Sequence, residues 1–324
     1  HSREVPLRVG ETLVLALGGR FASRSVEGRV PEAGVSPGER IGQLNVGGVA
    51  GHYRRAWPQA PTPLLRVLGG VDGGGAPLNL RSLRLVEPSP RLGGELPPWA
   101  LVVGSDMEVG KTTAASLLAA GLREAGIAPT FLKVTGTGRM RDLFRVQHGR
   151  EEGALRHREG FDFVDAGFPS TCGLDRGDTW SLCKGLLRFG ARGSDFLIVE
   201  LADSPFDDAS RWVLEDEELR GYLARRGVIL FACESLGAAP LVEWLRLRYR
   251  LEARELILTG PVANTPSWRK KASRLTACPP VASLPAQLAG AEQARASARE
   301  LAAAALKVLR CKGALEASLS GATP

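Results

Sequence analysis

Residues 100–113 read ALVVGSDMEVGKTT. Four apolar residues run into Gly104, and Gly110, Lys111 and Thr112 open a stretch of helical character. This is the pattern G-x-x-x-x-G-K-[ST] lying between a strand and a helix. Successive backbone N–H groups of such a loop point at phosphate. Gly104 and Gly110 lack the Cβ atoms that would block close approach. Lys111 brings a compact positive charge to the β- and γ-phosphates, and Thr112 a hydroxyl for Mg²⁺. The stretch predicts ATP and Mg²⁺ as cofactors, with Asp106, Val109 and Thr113 inside the nucleotide-binding segment.

Downstream, apolar runs alternate with amphipathic ones. Strands are expected at 100–103, 130–134, 196–201, 228–232, 255–258 and 281–284. Helices are expected at 112–125, 180–191, 209–225 and 240–249, with an Ala-rich packing helix at 291–309. Such alternation predicts an α/β fold: a doubly wound, mostly parallel sheet.

Three further segments fall at the ligand edge of that sheet. The run DFLIVE (195–200) ends in Glu200 at a strand tip, where a carboxylate holds Mg²⁺ directly or through water. Asp203 follows closely. The run FLKVTGTGR (131–139) closes the strand after the phosphate-loop helix. There Lys133 is a candidate for neutralising phosphate or a substrate carboxylate, and Thr135 and Thr137 for donating to anionic oxygens. The run DFVDAGFPSTCG (162–173) offers Asp165 as a candidate metal ligand or orienter of a nucleophile. It also offers Ser170 and Thr171 as anion-binding hydroxyls. For each segment an ordinary strand end, Gly-rich turn or capped loop is the competing explanation.

Residues 1–97 differ in texture. They hold seventeen glycines and no lysine. Short runs at 11–17, 40–46, 64–68 and 78–86, bounded by Gly and Pro, predict a small β-rich domain ahead of the nucleotide domain at 98–324. Residues 87–98 (EPSPRLGGELPP) have linker composition.

Composition excludes several classes. The chain has 324 residues, 44% hydrophobic and 24% charged. No apolar run has the length of a membrane span. Five cysteines without a C-x-x-C pair argue against a disulfide framework or structural zinc, and fit the cytoplasm. The four histidines show no ligand spacing, and Cys172 has no neighbouring His to activate it. Net charge is +7, yet only seven of 42 basic residues are lysines. Lys111 and Lys133 are the informative ones, and the other five read as solvated surface.

The segment GSDMEVGKT (104–112) resembles the G-T-D-T-E-V-G-K-T loop of dethiobiotin synthetases. LKV (132–134) falls where that family has K-P-V. DFLIVE (195–200) is similar to its D-x-x-x-V-E strand, and ESLGA (234–238) to its following loop. The likeness spans about residues 99–285. TGTG (135–138) also resembles uncharacterised relatives in that superfamily. The resemblance implies Glu108, Lys111 and Thr112 at phosphate and metal, Lys133 at phosphate or substrate, and Glu200 at Mg²⁺. It implies ATP activation of a carboxylate or carbamate as a mixed phosphate anhydride.

Departures limit the transfer. LADS (201–204) replaces a Gly-rich substrate stretch. Thr259 replaces a base-reading Asn, for which Asn264 is the substitute. The family also lacks an N-terminal module. The fold and the nucleotide chemistry carry over; the biotin pathway does not.

Three functions follow. The first is an ATP- and Mg²⁺-dependent ligase or transferase acting on a small anionic substrate, as a homodimer. The second is a kinase for a hydroxyl of a small molecule or polynucleotide end, although residues 1–97 lack the basic and aromatic interleaving of nucleic-acid binders. The third is a nucleotide switch of the same superfamily.

Overall fold

The computed structural model describes residues 6–22, 25–56, 63–147 and 159–315. His148 and His157 lie outside these residues.

Gly- and Pro-bounded runs in the first part of the chain make short strands. They are β1 (Ala16–Leu17), β2 (Arg20–Phe21), β3 (Val26–Arg29), β4 (Arg40–Gln43), β5 (Val49–Ala56) and β6 (Leu64–Arg66). Their order is β2-β3-β5-β4-β6, with antiparallel neighbours, and β1 adds to β5 in parallel. Val26, Ile41, Leu44, Val49 and Ala50 are buried beneath this sheet.

The structure corrects the strand expected at 78–86. There the Asn79 side chain accepts from Arg81 N and starts a short 3₁₀ turn, Leu80–Leu83. The central strand β5 was not foreseen, because VAGHYRRA lacks a clean apolar alternation.

The second sheet comprises β7 (Trp99–Gly104), β8 (Pro129–Lys133), β9 (Gly160–Asp162), β10 (Phe196–Glu200), β11 (Gly227–Ala232) and β12 (Leu256–Thr259). Its order is β12-β11-β7-β10-β8-β9 and every pairing is parallel. Strands covered on both faces read as continuous apolar runs, which is why β7, β10 and β11 are wholly buried.

Side chains alternate between two cores. Trp99, Leu101 and Val103 point to one face, Ala100 and Val102 to the other. The second face is covered by α1 (Lys111–Glu124), α2 (Met140–Gln147) and α8 (Ala286–Cys311). The first is covered by α3 (Arg176–Gly190), α4 (Asp208–Glu215), α5 (Glu217–Arg226) and α6 (Ala239–Tyr249), with Ala272 of α7 (Pro266–Thr276).

Three expectations change. The single helix expected at 209–225 is two, because Asp216 is extended (φ −64°, ψ 122°) and caps α5 by accepting from Leu219 N. Residues 281–284 form no strand; Leu258 and Pro280 make only an isolated bridge. Lys184 and Lys312 are not solvated surface. Lys184 sits 2.7 Å from Asp216 and 3.1 Å from Glu218, and Lys312 2.7 Å from Glu255.

Residues 87–98 have linker composition, but together with Leu85 and Val86 they pack as a strap. Val86, Leu92 and Leu96 are buried in the core beneath α3 and α5. Leu92 N donates to Glu218 Oε1 at 3.0 Å, and Leu96 N to the Tyr222 hydroxyl.

Candidate functional site

The connection from β7 crosses β10 to reach β8, and the connection from β10 crosses β7 to reach β11. The strand order therefore reverses beside β7, and the carboxyl ends of these strands form the crevice where α/β sheets hold ligands. The segment 105–110 fills that crevice. Ser105 N donates to Ala232 O at 2.9 Å, fixing its first residue to β11. Glu108 and Gly110 both take left-handed backbone (φ 62° and 96°), turning the chain sharply into α1. A Cβ on Gly104 would fall 2.8 Å from the Lys111 stem and 2.7 Å from Val109. The loop therefore closes on its own lysine only because Gly104 has no side chain. α1 starts at Lys111 with no side-chain cap, so its N-terminal N–H groups face the crevice.

Lys111 is buried, and its Nζ donates to the carbonyls of Asp106 (2.6 Å) and Asp203 (2.9 Å). Burial holds its pKa below the ordinary lysine value, against the pull of Glu200 and Asp203. Asp203 also has left-handed backbone (φ 51°), which aims its carbonyl back at the loop. Burial raises the Asp203 carboxyl pKa, and the Lys111 charge offsets part of that rise.

Thr112 Oγ1 donates to Glu200 Oε1 at 3.1 Å. Glu200 stands opposite both Val102 and Lys133 in the ladders, so strand register alone sets Glu200 beside Lys133. Lys133 Nζ is ion-paired with Asp142 of α2 and lies 3.5 Å from Glu200 Oε1. Burial would depress the Lys133 pKa, but Glu200 and Asp142 outweigh it and hold the ammonium charged well above its usual range. Burial pushes the Glu200 carboxyl up, and the Lys133 charge offsets only part of that. Glu200 Oε2 is buried with no hydrogen-bond partner.

These features fit a Mg-nucleotide. The glycine-lined cradle and uncapped helix start match phosphate. Thr112 Oγ1 and the orphaned Glu200 oxygen are hard donors of the kind Mg²⁺ takes. Among the described residues no cluster of three or more His, Cys, Asp and Glu forms a separate metal centre.

The remaining sequence candidates sort into two groups. Thr135 and Thr171 are buried braces. Thr135 Oγ1 accepts from Ala202 N at 2.8 Å and meets Ser210 Oγ at 3.2 Å. Thr171 Oγ1 accepts from Gly136 N at 2.8 Å. Ser170 Oγ donates to Gly136 O and accepts from Cys172 N. Thr137 is only half-buried, with its hydroxyl 3.4 Å from Ser170 Oγ and 3.9 Å from Cys172 Sγ.

The described contacts of Asp165 run to its own turn and to the strap. Its Oδ2 accepts from Asp162 N, and its carbonyl accepts from Leu85 N and Val86 N. The second carboxylate beside Lys133 is instead Asp142, which sequence reading passed over. Its signal was an acid in the first turn of α2. Asn264 follows Gly260 and Pro261, which abut Gly110, so it lies beside the loop. Its Oδ1 accepts from Ser283 N at 2.9 Å. Thr259 is fully buried, and its Oγ1 has no hydrogen-bond partner.

A cleft of about 610 Å³ opens elsewhere, lined by Arg123, Pro129, Thr130, Glu159 and Phe189. Pro129 and Thr130 begin β8, so this cleft lies at the sheet edge opposite the phosphate loop.

No protein-family model matches the chain, and neither does any curated protein. Solved structures are similar at low identity, two of them as follows. A ParA family ATPase from Chlorobium tepidum TLS is 15% identical, with a TM-score of 0.37, over 68% of this chain and 96% of that one. The signal recognition particle 54 kDa protein from Aeropyrum pernix K1, in complex with GDP, is 17% identical with a TM-score of 0.39. That match covers 72% of this chain and 53% of the other, so the chain spans about half the length of that relative. Among the described residues no helix is long and apolar enough to cross a membrane.

Proposed function

We propose that the chain binds a nucleoside triphosphate with Mg²⁺ at 104–112 and transfers its terminal phosphoryl group to a small carboxylate or carbamate. The observation that supports transfer is Lys133. It is a second lysine at the same edge, largely buried, fixed by register next to Glu200 and by Asp142 on its far side. Lys111 already serves the nucleotide's phosphates; a second ammonium beside the metal carboxylate suits a second anion. In the reaction the bond from the γ-phosphorus to its bridging oxygen breaks. A bond from the acceptor oxygen to phosphorus forms, releasing nucleoside diphosphate and an acyl or carbamoyl phosphate.

The chain's residues mainly position and neutralise, as phosphoryl transfer requires. Lys111 draws charge off the β/γ-phosphates when it exchanges its two carbonyl partners for phosphate oxygens. Lys133 orients the acceptor anion toward the γ-phosphorus. Thr112 and Glu200 would hold Mg²⁺, which when bound neutralises charge on the phosphates. The resemblance to dethiobiotin synthetases over residues 99–285 supports the same reading, with ATP as the nucleotide; a homodimer is proposed as the working unit.

The test is nucleotide titration and turnover on purified protein. Lys111→Ala is expected to cost roughly 2–5 kcal/mol of nucleotide affinity, as for other close charge contacts. Lys133→Ala is expected to keep nucleotide affinity and lose acceptor-stimulated turnover. Unchanged affinity in Lys111→Ala would sink the proposal. Nucleotide-dependent self-association with no phosphorylated product would favour a switch instead.

A further inference from the structure

Helix α7 turns a charged face to solvent that the phosphate loop does not account for. It reads PSWRKKASRLT and holds no acid. Ala272 and Thr276, four residues apart, are buried on its inner side. On the outer side stand Lys270 and Arg274, one turn apart, and Trp268, Lys271 and Leu275, which share a stripe at offsets of three and seven. All five are exposed, Trp268 by 40% and Leu275 by 62%. Arg269 pairs with Glu300 at 3.3 Å and donates to Ala263 O. Among the described residues no carboxylate comes within ion-pair distance of Lys270, Lys271 or Arg274.

The neighbouring α6 adds to this charge. Arg246 Nη1 donates to Thr276 O at the end of α7 and to Glu243. Glu243 is the one acid on α6 and α7, against six basic residues, in a chain of net charge +7. Unpaired cations beside a solvent-exposed indole suit single-stranded nucleic acid. Ammonium and guanidinium groups neutralise phosphates there, and an aromatic ring stacks a base. The exposed hydroxyls of Ser267 and Ser273 are further donors for phosphate oxygens. A membrane surface suits the face less well. Only Trp268 and Leu275 are large exposed apolar residues on α7, and an interfacial helix needs a broad apolar side.

We propose that the exposed face of α7 binds single-stranded nucleic acid, with Lys270, Lys271 and Arg274 on its phosphates and Trp268 stacked on a base. The face uses no residue of the phosphate loop, so its binding stands apart from phosphoryl transfer. Backbone charge and ring faces are common to every sequence. Binding is therefore indifferent to base order and strongly dependent on salt. Residues 1–97 lack basic and aromatic interleaving; here it lies in WRKK at 268–271.

The test titrates the full chain into labelled oligothymidylate, a duplex of the same length and phosphatidylserine vesicles, between about 50 and 200 mM salt. Oligothymidylate is expected to bind, its affinity falling with a log–log salt slope of about 2 for three neutralised phosphates. Lys270→Gln with Lys271→Gln should lower that slope by about 1.4. Trp268→Ala should weaken single-strand binding about tenfold and leave the slope unchanged. Lys270→Arg with Lys271→Arg should bind like the parent, as should Arg192→Gln, which removes an exposed cation just beyond α3. Parental melting temperatures show that each variant folds, and the arginine pair keeps the charge test readable if the glutamine pair does not. Failure of oligothymidylate to bind at low salt overturns the proposal. So does binding that neither the glutamine pair nor Trp268→Ala weakens. Duplex bound as tightly as the single strand overturns the stacking of Trp268. Vesicles bound more tightly than oligothymidylate overturn the proposal in favour of a membrane surface.

Discussion

The Thr112 hydroxyl donates to the Glu200 carboxylate across 3.1 Å, joining the first turn of α1 to the tip of β10. One Glu200 oxygen is thereby engaged, and the other is buried without a partner. Such an oxygen costs stability until something binds it.

Glu200→Gln is expected to leave the nucleotide-free protein at least as stable as the parent near neutral pH. The sign follows from the raised Glu200 pKa. A carboxyl that holds its proton more tightly when folded contributes stability below its unfolded pKa. That stability is lost as pH rises through the folded value. Gln lacks this slope, so the difference in melting temperature should grow with pH above the ordinary carboxylate range. The variant should also lose the extra stabilisation that Mg²⁺ adds to nucleotide binding. Melting curves across pH, with and without Mg-nucleotide, check both; a less stable variant at pH 8 would contradict the argument.

Asp142→Asn removes the closest counter-charge of Lys133. Both side chains are largely buried, and breaking one partner of a buried pair typically costs 3–5 kcal/mol. Glu200, 3.5 Å from the same ammonium, remains and softens the loss. A destabilisation of about 2–3 kcal/mol is therefore expected from denaturant unfolding. Turnover should fall more than nucleotide affinity, because Lys111 is untouched.

Asn45→Ala deletes three hydrogen bonds at once, one of them across the two sheets. Each buried group left unsatisfied costs about 1–3 kcal/mol. Hydrogen exchange should quicken in segments 45–50 and 135–139, while the β10 and β11 core stays protected. Uniform exchange across the chain would mean that the two sheets do not communicate through this amide.

Cys172 gives a pH readout of the same junction. Burial pushes its thiol pKa up, and the hydrogen bond from Ser170 offsets only part of that. The thiolate is the reactive form, so alkylation of Cys172 should be slow at pH 8 and accelerate only at higher pH. The exposed Cys311 should label first. Mass mapping of iodoacetamide adducts at pH 7, 8 and 9 checks the order.

The phosphate loop and the parallel sheet were legible because their signals are local. Gly104, Gly110, Lys111 and Thr112 sit at fixed offsets, and wholly buried strands must be apolar throughout. Glu200 and Lys133 were legible because both end apolar runs at one edge. Asp142 was not, since its partner lies nine residues back and no pattern links a helix acid to a strand lysine. Asn45 was further out of reach. Its cross-sheet partner, Gly138 O, is brought near by tertiary packing, and a strand of the composition VAGHYRRA does not announce itself. Asp165 shows the converse: a carboxylate in a polar loop, which the fold uses to hold its own turn and the strap.

The strap at 85–98 bears on where the nucleotide-binding unit can be cut. Its Val86, Leu92 and Leu96 lie in the core of the second sheet, each contributing about 1.5–3 kcal/mol by burial. A fragment begun at Trp99, where composition changes, would carry an open apolar trench along α3 and α5. It should aggregate, whereas one begun near residue 84 keeps its own lining. The smallest soluble piece of this protein thus starts upstream of the boundary that composition draws.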